Sequence, residues 1–449
     1  MMSQSLTTAL SEDCLGLEGR AAAIESCAHW EISGKVVQLV GNMIEVGGVD
    51  AALGDIFRIT YGDSNSPIYA QVVGFHQKRL KLSPLTALDG IQPGALVSWC
   101  PQAHTLPASP GLLGRILDGM GNPIDDQGPL PPGTPYPLLT KVVNPLRRPL
   151  ITEQLDVGVR SVNSLLPVGK GQRMGVFAGS GVGKSTLLGM MARHTTAPVN
   201  VIALIGERGR EVNEFIENEL GRAGLSHSVV VVATSNQPAT IRLRGAYLAC
   251  SIAEYFRDQG QDVLFMMDSV TRFAMAGREI GLAAGEPPTT KGYTPSVFTH
   301  MPNLLERAGN FESASITGLY TVLVEGDDLE DPIADALRSI LDGHIVLDRK
   351  LAHKHQYPAI NVLKSVSRLT DALLTKEQRE PLVRFVRTLA RYEANEDMIN
   401  IGAYAVGTNP DTDYAIAMYD KFCQFLRQPV DENCSLAEAR EALAALFQS

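Results

Sequence analysis

The chain has 449 residues, of which 45% are hydrophobic and 20% are charged, and its net charge is −10. This composition is typical of a globular protein, and the length predicts about three domains. The acidic balance argues against a broad nucleic-acid surface, because binding to a phosphate backbone needs clustered lysine and arginine.

The six cysteines are scattered and form no C-x-x-C pair, so we expect reduced thiols and a cytoplasmic location. The first residues, MMSQSLTTALSEDC, lack a basic region followed by an apolar run, and no signal peptide is predicted. No stretch reaches the ~18 apolar residues of a membrane span. Any association with the cell membrane is therefore expected to be peripheral and to depend on partners.

Residues 1–25 carry a weak apolar stripe at helical spacing, formed by Leu6, Leu10, Cys14 and Leu17. The stripe fits a short helix that docks on a partner, and it fits equally well a partly ordered tail.

Residues 26–100 are predicted to form an N-terminal β-barrel or a small sandwich. Short runs rich in valine and isoleucine alternate with glycine and asparagine, which is typical of close-spaced strands. The strand candidates are Lys35–Val40, Met43–Val46, Asp55–Thr60, Ile68–Phe75 and Arg79–Leu82.

Residues 101–375 are predicted to form an α/β domain. A connecting region rich in proline and glycine comes first, and strand-like runs then alternate with helical segments such as Ser185–Thr195 and Glu211–Ala223. This alternation indicates a mainly parallel sheet with helices on both faces. The strand candidates are Met174–Phe177, Val199–Ile205, Val229–Ala233, Val263–Met267 and Ser315–Val324.

Residues 376–449 lack strand-like runs. Helical periodicity is present in Glu377–Asn395, Asp411–Arg427 and Leu436–Phe447, so this part is predicted to be a small helical domain.

The most specific signal is the run AGSGVGKS at residues 178–185, which follows an apolar strand candidate and opens a helix. This context indicates a phosphate-binding loop, in which backbone N–H groups and a helix N-terminus surround phosphate oxygens. Lys184 is expected to reach the β- and γ-phosphates, and the Ser185 hydroxyl is expected to ligate Mg²⁺. Ala178 replaces the usual first glycine, outside the tight part of the loop. The predicted nucleotide-binding residues here are Gly179, Ser180, Gly181, Val182, Gly183, Lys184, Ser185 and Thr186.

Two carboxylates follow strand candidates in the same region. Asp268 ends an apolar run, where it can hold Mg²⁺ beside the loop or cap the helix that follows. Glu207 follows the run Val199–Ile205 and can polarise a water molecule that attacks the γ-phosphate. Glu211 is a competing candidate for that role, and spacing alone does not decide between the two. Together with the loop, these carboxylates predict ATP hydrolysis.

Two further residues stay ambiguous from their positions alone. The Arg368 guanidinium can stabilise charge on a transferring phosphoryl group, but from its position alone a surface salt bridge is the better explanation. Tyr357, before Pro358, can stack on adenine or pack in a core.

These residues lie within a longer, ordered set of runs that resembles the type III secretion ATPases, and among them most closely the flagellar export ATPases. A more distant similarity is to the catalytic subunit of rotary ATP synthases. The resemblance covers roughly residues 30–449. The runs that carry it are GQRMGVFAGSGVGKS (171–185), GERGREV (206–212), MDSVTRFA (267–274), GEPP (285–288), KGYTPSVF (291–298), LERAG (305–309), EGDD (325–328) and DGHIVL (342–347).

The resemblance implies a RecA-like P-loop ATPase core between an N-terminal β-barrel and a C-terminal helical domain. It places Glu207 on the family's catalytic glutamate and Tyr357 on the aromatic residue beside adenine. Arg368 falls on the arginine finger that acts on the neighbouring subunit's nucleotide, so a homohexamer with sites between subunits is expected.

The resemblance also implies the partners. They are a regulatory stator-like protein at the N-terminus, a central stalk protein at the C-terminal domain, and an export gate with chaperones and secreted substrates. The expected function is delivery and unfolding of export substrates, with ATP and Mg²⁺ as cofactors. No nucleic acid is expected.

Departures from the family pattern are few. Thr294 stands where proline is usual, and Asn361 stands where aspartate is common, and neither position belongs to the phosphate loop. The acidic loop of the synthase subunit is absent after Tyr404, where the chain reads AVGTNPD, and this counts against a proton-driven synthase. The loop AGSGVGKS favours the flagellar system, with a virulence-type injectisome ATPase as the alternative.

Two other classes of function are disfavoured by the sequence. A ring-shaped nucleic-acid translocase would need a basic or aromatic pore, which the acidic charge disfavours. A non-catalytic nucleotide-binding subunit commonly lacks the catalytic carboxylate, whereas Glu207 is present here.

Overall fold

The computed structural model describes residues 33–60, 67–100, 104–140, 143–324 and 331–448. They belong to two compact units that divide between residues 101 and 102. The predicted partner-binding segment at residues 1–25 and the run EGDD at 325–328 lie outside the described residues.

The first unit is a closed six-stranded barrel, so the predicted barrel is confirmed over the predicted sandwich, with one strand more than the five candidates. Its strands are β1 (Ser33–Val40), β2 (Met43–Gly47), β3 (Ile56–Thr60), β4 (Ile68–His76), β5 (Arg79–Pro84) and β6 (Leu96–Trp99). They pair antiparallel in the order β1-β2-β5-β4-β3-β6, and β6 returns to β1. Closure leaves no open strand edge. Alternating side chains such as Ile44 and Val46 are fully buried in its core.

The second unit contains a small sheet and a large one. Two strands, β7 (Thr105–Ala108) and β9 (Thr134–Pro137), form the small sheet. The strands of the large sheet are β8 (Ile116–Asp118), β10 (Arg173–Ala178), β11 (Val199–Ile205), β12 (Ser228–Ala233), β13 (Val263–Asp268), β14 (Gly309–Asn310), β15 (Ser315–Leu323), β16 (Gly343–Leu347) and β17 (Val366–Ser367). They lie in the order β17-β16-β10-β15-β13-β11-β12-β8, with β14 beside β15. Among these described strands the short β14–β15 and β16–β17 pairings are antiparallel, and the other pairings are parallel.

Helices connect these strands and follow them to the C-terminus. In chain order they are α1 (Arg160–Leu165), α2 (Lys184–His194), α3 (Gly209–Glu214), α4 (Gly221–Ser226), α5 (Ala239–Asp258), α6 (Val270–Ala284), α7 (Pro295–Leu305), α8 (Pro332–Ile340), α9 (Arg349–His353), α10 (Thr370–Leu373), α11 (Lys376–Asn400), α12 (Pro410–Leu426) and α13 (Leu436–Ala445). A π-helical turn, Phe215–Leu220, lies between α3 and α4. The predicted helix Glu211–Ala223 is therefore three short pieces.

The central strands are nearly continuous apolar runs because helices cover both faces of the sheet. Every residue of β11, β12 and β13 is buried. Since β10, β11 and β13 run parallel, their carboxyl ends meet at one edge of the sheet, where crossover loops create a crevice. The register that pairs Leu204 with Asp268 brings the segment after β11 beside the end of β13.

The C-terminal helices share one hydrophobic core with this sheet. Phe385 of α11 and Phe422 of α12 lie with ring centroids 4.1 Å apart, and both belong to the cluster that contains Met174 of β10 and Ile202 of β11. A capping box at Thr375 and Gln378 begins α11. Displacing these helices therefore disturbs packing that extends to the sheet.

Among the described residues, no helix combines the length and the apolar character that crossing a membrane requires.

Candidate active site

The phosphate loop has the conformation that its glycines predict. It follows β10, and α2 begins at Lys184 directly after it. Gly181 and Gly183 have φ of +76° and +89°, values that side chains with a Cβ rarely adopt. Val182 between them is 1% exposed and its side chain packs into the hydrophobic core, which anchors the loop on the side away from the cleft.

Lys184 lies between two carboxylates. Its Nζ donates a hydrogen bond of 2.5 Å to Oδ1 of Asp268 and lies 3.7 Å from Oε1 of Glu207. Burial disfavours the ammonium charge, but the Asp268 and Glu207 carboxylates outweigh burial and raise the pKa of Lys184. The three residues predicted from separate runs of sequence are thus one charge cluster, and Lys184 remains a cation within it.

Asp268 is fixed in place by its own strand and by the adjacent one. It ends β13, its side chain is 6% exposed, and Oδ1 accepts a hydrogen bond of 2.7 Å from Oγ1 of Thr321 on β15. The helix cap considered as an alternative is made by Ser269, whose hydroxyl accepts from the Arg272 N–H. Asp268 is therefore free of the capping role.

Glu207 is a buried carboxyl with an unusual proton affinity. Burial, followed by the charge of Asp268, raises the pKa of Glu207 to about 7 against the opposing ammonium of Lys184. Within the described part of the chain its Oε1 is buried and accepts no hydrogen bond. A buried oxygen in this state is suited to a water molecule or a substrate group.

The geometry favours Glu207 over Glu211 as the base. Glu211 is the more exposed of the two and forms an ion pair with Arg208 at the cleft rim. Although partial burial acts the other way, the hydrogen bond with Glu207 and the Arg208 charge lower the pKa of Glu211. Glu211 is therefore ionised and solvated, whereas Glu207 faces Lys184.

The residues predicted to hold Mg²⁺, Ser185 and Asp268, both line the cleft. They offer the oxygen donors that this hard cation prefers. Among the described residues, no three histidine, cysteine, aspartate or glutamate side chains form a metal-binding group. The donor set therefore fits a cation that takes its remaining ligands from phosphate oxygens and water, and not a cage made by the protein alone.

Thr186 also lines the cleft, but its hydroxyl donates a 2.9 Å hydrogen bond to Glu219 in the π-helical turn. Only its backbone N–H is left to face a phosphate.

Tyr357 lies at the phosphate loop. A Cβ on Gly183 would stand 3.6 Å from its ring, and the side chain is 42% exposed. Its exposed ring and its place beside the loop favour the base-stacking role over core packing.

Arg368 lies away from the cleft of its own chain. It directly follows β17 at the edge of the sheet, is exposed, and does not line the cleft. Its backbone N–H donates to the Asp342 carbonyl, and its guanidinium donates 2.9 Å to the Arg338 carbonyl. A catalytic role for Arg368 therefore requires the site of another subunit.

Sequence reasoning missed Thr321 and did not assign Arg272. Thr321 lies in the middle of β15, and only the parallel pairing with β13 brings it to Asp268, so no local pattern marks it. Arg272 lies in the run MDSVTRFA; it packs against Gly206, and its buried Nε has no hydrogen-bond partner in the described chain.

The cleft as a whole has a volume of about 1100 Å³. Its phosphate loop, helix N-terminus and many cations suit a polyphosphate, and its carboxylates suit a metal ion and a water molecule. The cations that line it are Lys184, Arg208, Arg210, Arg272, Arg278, Lys291 and Arg349.

Comparison with known families identifies a nucleotide-binding domain in this part of the chain. Residues 158–367 match the nucleotide-binding domain of the ATP synthase alpha/beta family, and residues 374–445 match the C-terminal domain of the type III secretion ATPase EscN. A solved structure of the assembled ATPase EscN from enteropathogenic E. coli is 41% identical, with a TM-score of 0.87 over 92% of this chain and 99% of that one.

Curated relatives extend over almost the full length. The flagellum-specific ATP synthase of Bacillus subtilis is 53% identical, covering 94% of this chain and 97% of the relative. That of Pseudomonas aeruginosa is 48% identical, covering 96% of both chains. The type 3 secretion system ATPase of Xanthomonas euvesicatoria is 48% identical, covering 92% of this chain and 93% of the relative. With this identity over nearly its whole length, the chain belongs to the family of flagellar and type III secretion ATPases.

Proposed function

We propose that the chain is the ATP hydrolase of a flagellar type III protein export apparatus. The observation that carries the ATPase assignment is the buried Oε1 of Glu207, which accepts no hydrogen bond within the described residues and lies 3.7 Å from Nζ of Lys184 at the end of the phosphate loop. The flagellar assignment is supported by relatives named as flagellum-specific ATP synthases at 45–53% identity in several bacteria. An injectisome ATPase remains the second candidate, because one such relative reaches 48% identity.

The residues divide the reaction between them. The loop backbone and Lys184 bind the β- and γ-phosphates, and Glu207 orients the attacking water through Oε1 and accepts its proton. Phosphate oxygens that reach Lys184 would compete with Asp268 for the ammonium, and Ser185 and Asp268 are the residues that would hold Mg²⁺. Bound Mg²⁺ would neutralise the charge that develops on the phosphate oxygens.

The Arg368 guanidinium can stabilise the transition state only at the site of a neighbouring subunit, because it lies away from the cleft of its own chain. EscN is described as an assembled ATPase and also in complex with a central stalk protein, EscO, in a structure 40% identical to this chain with a TM-score of 0.85. We extend this to a homohexamer whose sites lie between subunits, with a stalk protein against the C-terminal helices.

The remaining partners follow from the proposed role. We propose that a stator-like regulator binds residues 1–25, and that the assembled ring acts with an export gate, chaperones and secreted substrates. We propose that the ring works in the cytoplasm at the inner face of the cell membrane and binds no nucleic acid.

The flagellar role is tested in a Bacillus subtilis strain that lacks its own flagellum-specific ATP synthase. Producing this chain is expected to restore swimming in soft agar, while Lys184→Ala, produced to the same level, is not. Restoration by both chains would contradict a role for hydrolysis. Failure of the native chain there, with restored secretion in an injectisome strain lacking its ATPase, would move the assignment to the second candidate.

Glu207→Gln is expected to lower kcat by at least ~100-fold, because an amide cannot accept the water's proton, while ATP binding persists. Glu211→Gln is the matched control and is expected to stay within about threefold of the native rate, since Glu211 is solvated at the rim. Steady-state hydrolysis and nucleotide titration measure the two effects. An equal loss in both variants would mean that Glu207 is not the base.

Mixing two inactive variants tests the shared site. Lys184→Ala and Arg368→Ala are each expected to hydrolyse ATP at least ~1,000-fold more slowly than the native chain. In a one-to-one mixture, roughly a quarter of interfaces join a native Lys184 to a neighbour's native Arg368, so activity should appear that neither variant has alone. A mixture no more active than its components would place Arg368 outside the neighbour's site.

A further inference from the structure

The segment between α12 and α13, residues 427–435, which we name the C-terminal connector, contacts the phosphate-loop helix and Tyr357. Its Val430 carbonyl accepts a 2.9 Å hydrogen bond from Arg193 in the last turn of α2, the phosphate-loop helix. Its Gln428 N–H donates 3.0 Å to the Tyr357 carbonyl. The connector therefore joins the end of α12 both to the far end of the phosphate-loop helix and to the proposed base-stacking residue.

Gln428 is the most constrained side chain of the connector. It is 4% exposed, and all of its amide groups are used. Oε1 accepts 2.7 Å from the Arg160 N–H, and Nε2 donates 2.8 Å to each of the Gly158 and Glu432 carbonyls. A buried amide satisfied on three sides fixes the position of its own backbone, and with it the hydrogen bond to Tyr357.

Arg160 of α1 fixes the end of α12 in the same place. Its guanidinium donates 3.1 Å to the Phe425 carbonyl and 3.0 Å to the Arg427 carbonyl, and it pairs with the Glu432 carboxylate. A cation on the last carbonyls of a helix also favours its dipole. The end of α12 thus cannot shift without disturbing the bonds around Gln428.

Tyr357 is placed to respond to such a shift. Its ring lies against Gly183 of the phosphate loop, and its carbonyl is held by Gln428. A small displacement of the connector would therefore move the ring relative to the loop, while the loop itself is held separately by Val182 in the core.

We propose that Gln428 is a positioning residue for the nucleotide base, which holds Tyr357 at the phosphate loop and makes base affinity depend on where α12 ends. The inference rests on the proposed function, because it requires ATP bound with its base at Tyr357. It goes beyond that function in assigning a residue that couples the C-terminal helices to base binding and not to phosphate binding.

The test compares a ligand that has a base with one that has none. Gln428→Met keeps the side-chain volume and loses the three amide hydrogen bonds. We expect it to raise the KM for Mg-ATP roughly tenfold, with kcat within about twofold. The inhibition constant of Mg-tripolyphosphate should stay within about twofold of the native value, because the phosphate loop is intact. Gln428→Ala is expected to act in the same direction.

The matched control is Gln424→Met, an exposed glutamine on α12 one turn earlier, which should leave all three constants unchanged. In a Tyr357→Leu background, Gln428→Met should add little to the KM, because both changes act on the same contact. Equal weakening of ATP and tripolyphosphate, independent effects of the two substitutions, or a native KM in Gln428→Met would each overturn the proposal. Failure of the native chain to hydrolyse ATP would instead reject the proposed function.

Discussion

The interaction on which the site depends is the contact of the Lys184 ammonium with the carboxylates of Asp268 and Glu207. Lys184 begins α2, Glu207 follows β11 and Asp268 ends β13, and burial of the two carboxyl groups is tolerated because the Lys184 ammonium lies between them. Burial, followed by the charge of Asp268, raises the pKa of Glu207. The Lys184 ammonium opposes this effect and favours the ionised form of Glu207, which is the form that can accept a proton from water.

The order of the strands in the parallel sheet brings these three residues together. Parallel pairing of β10, β11 and β13 gathers the phosphate loop, Glu207 and Asp268 at one sheet edge, and Thr321 on β15 sets the orientation of the carboxylate. The C-terminal helices join the same hydrophobic core, and the connector ties them to Tyr357. A change of conformation in those helices can therefore move Tyr357, and with it the nucleotide base, without changing the contacts of Lys184 with the two carboxylates.

Much of this was predictable because the informative signals are local. Gly181 and Gly183 determine the backbone conformation of the run 178–185, and the buried strands are nearly continuous apolar runs.

The strand β6, which closes the barrel, was missed because its four residues around Ser98 carry little periodic signal. Thr321 and Gln428 were missed because their partners are distant in sequence. The choice between Glu207 and Glu211 needed burial, which spacing cannot supply. The position of Arg368 away from its own cleft likewise follows only from the sheet order.

The most direct measurement is the titration of the Glu207 carboxyl by ¹³C NMR in the nucleotide-free chain, assigned by comparison with Glu207→Gln. The cluster predicts a carboxyl that ionises at about pH 7, held protonated below that value by burial and by Asp268. It also predicts that Asp268→Asn lowers the pKa, because one opposing carboxylate is gone. A carboxyl that titrates at the ordinary value of about 4.3, with no response to Asp268→Asn, would mean that the three charges do not act as one cluster.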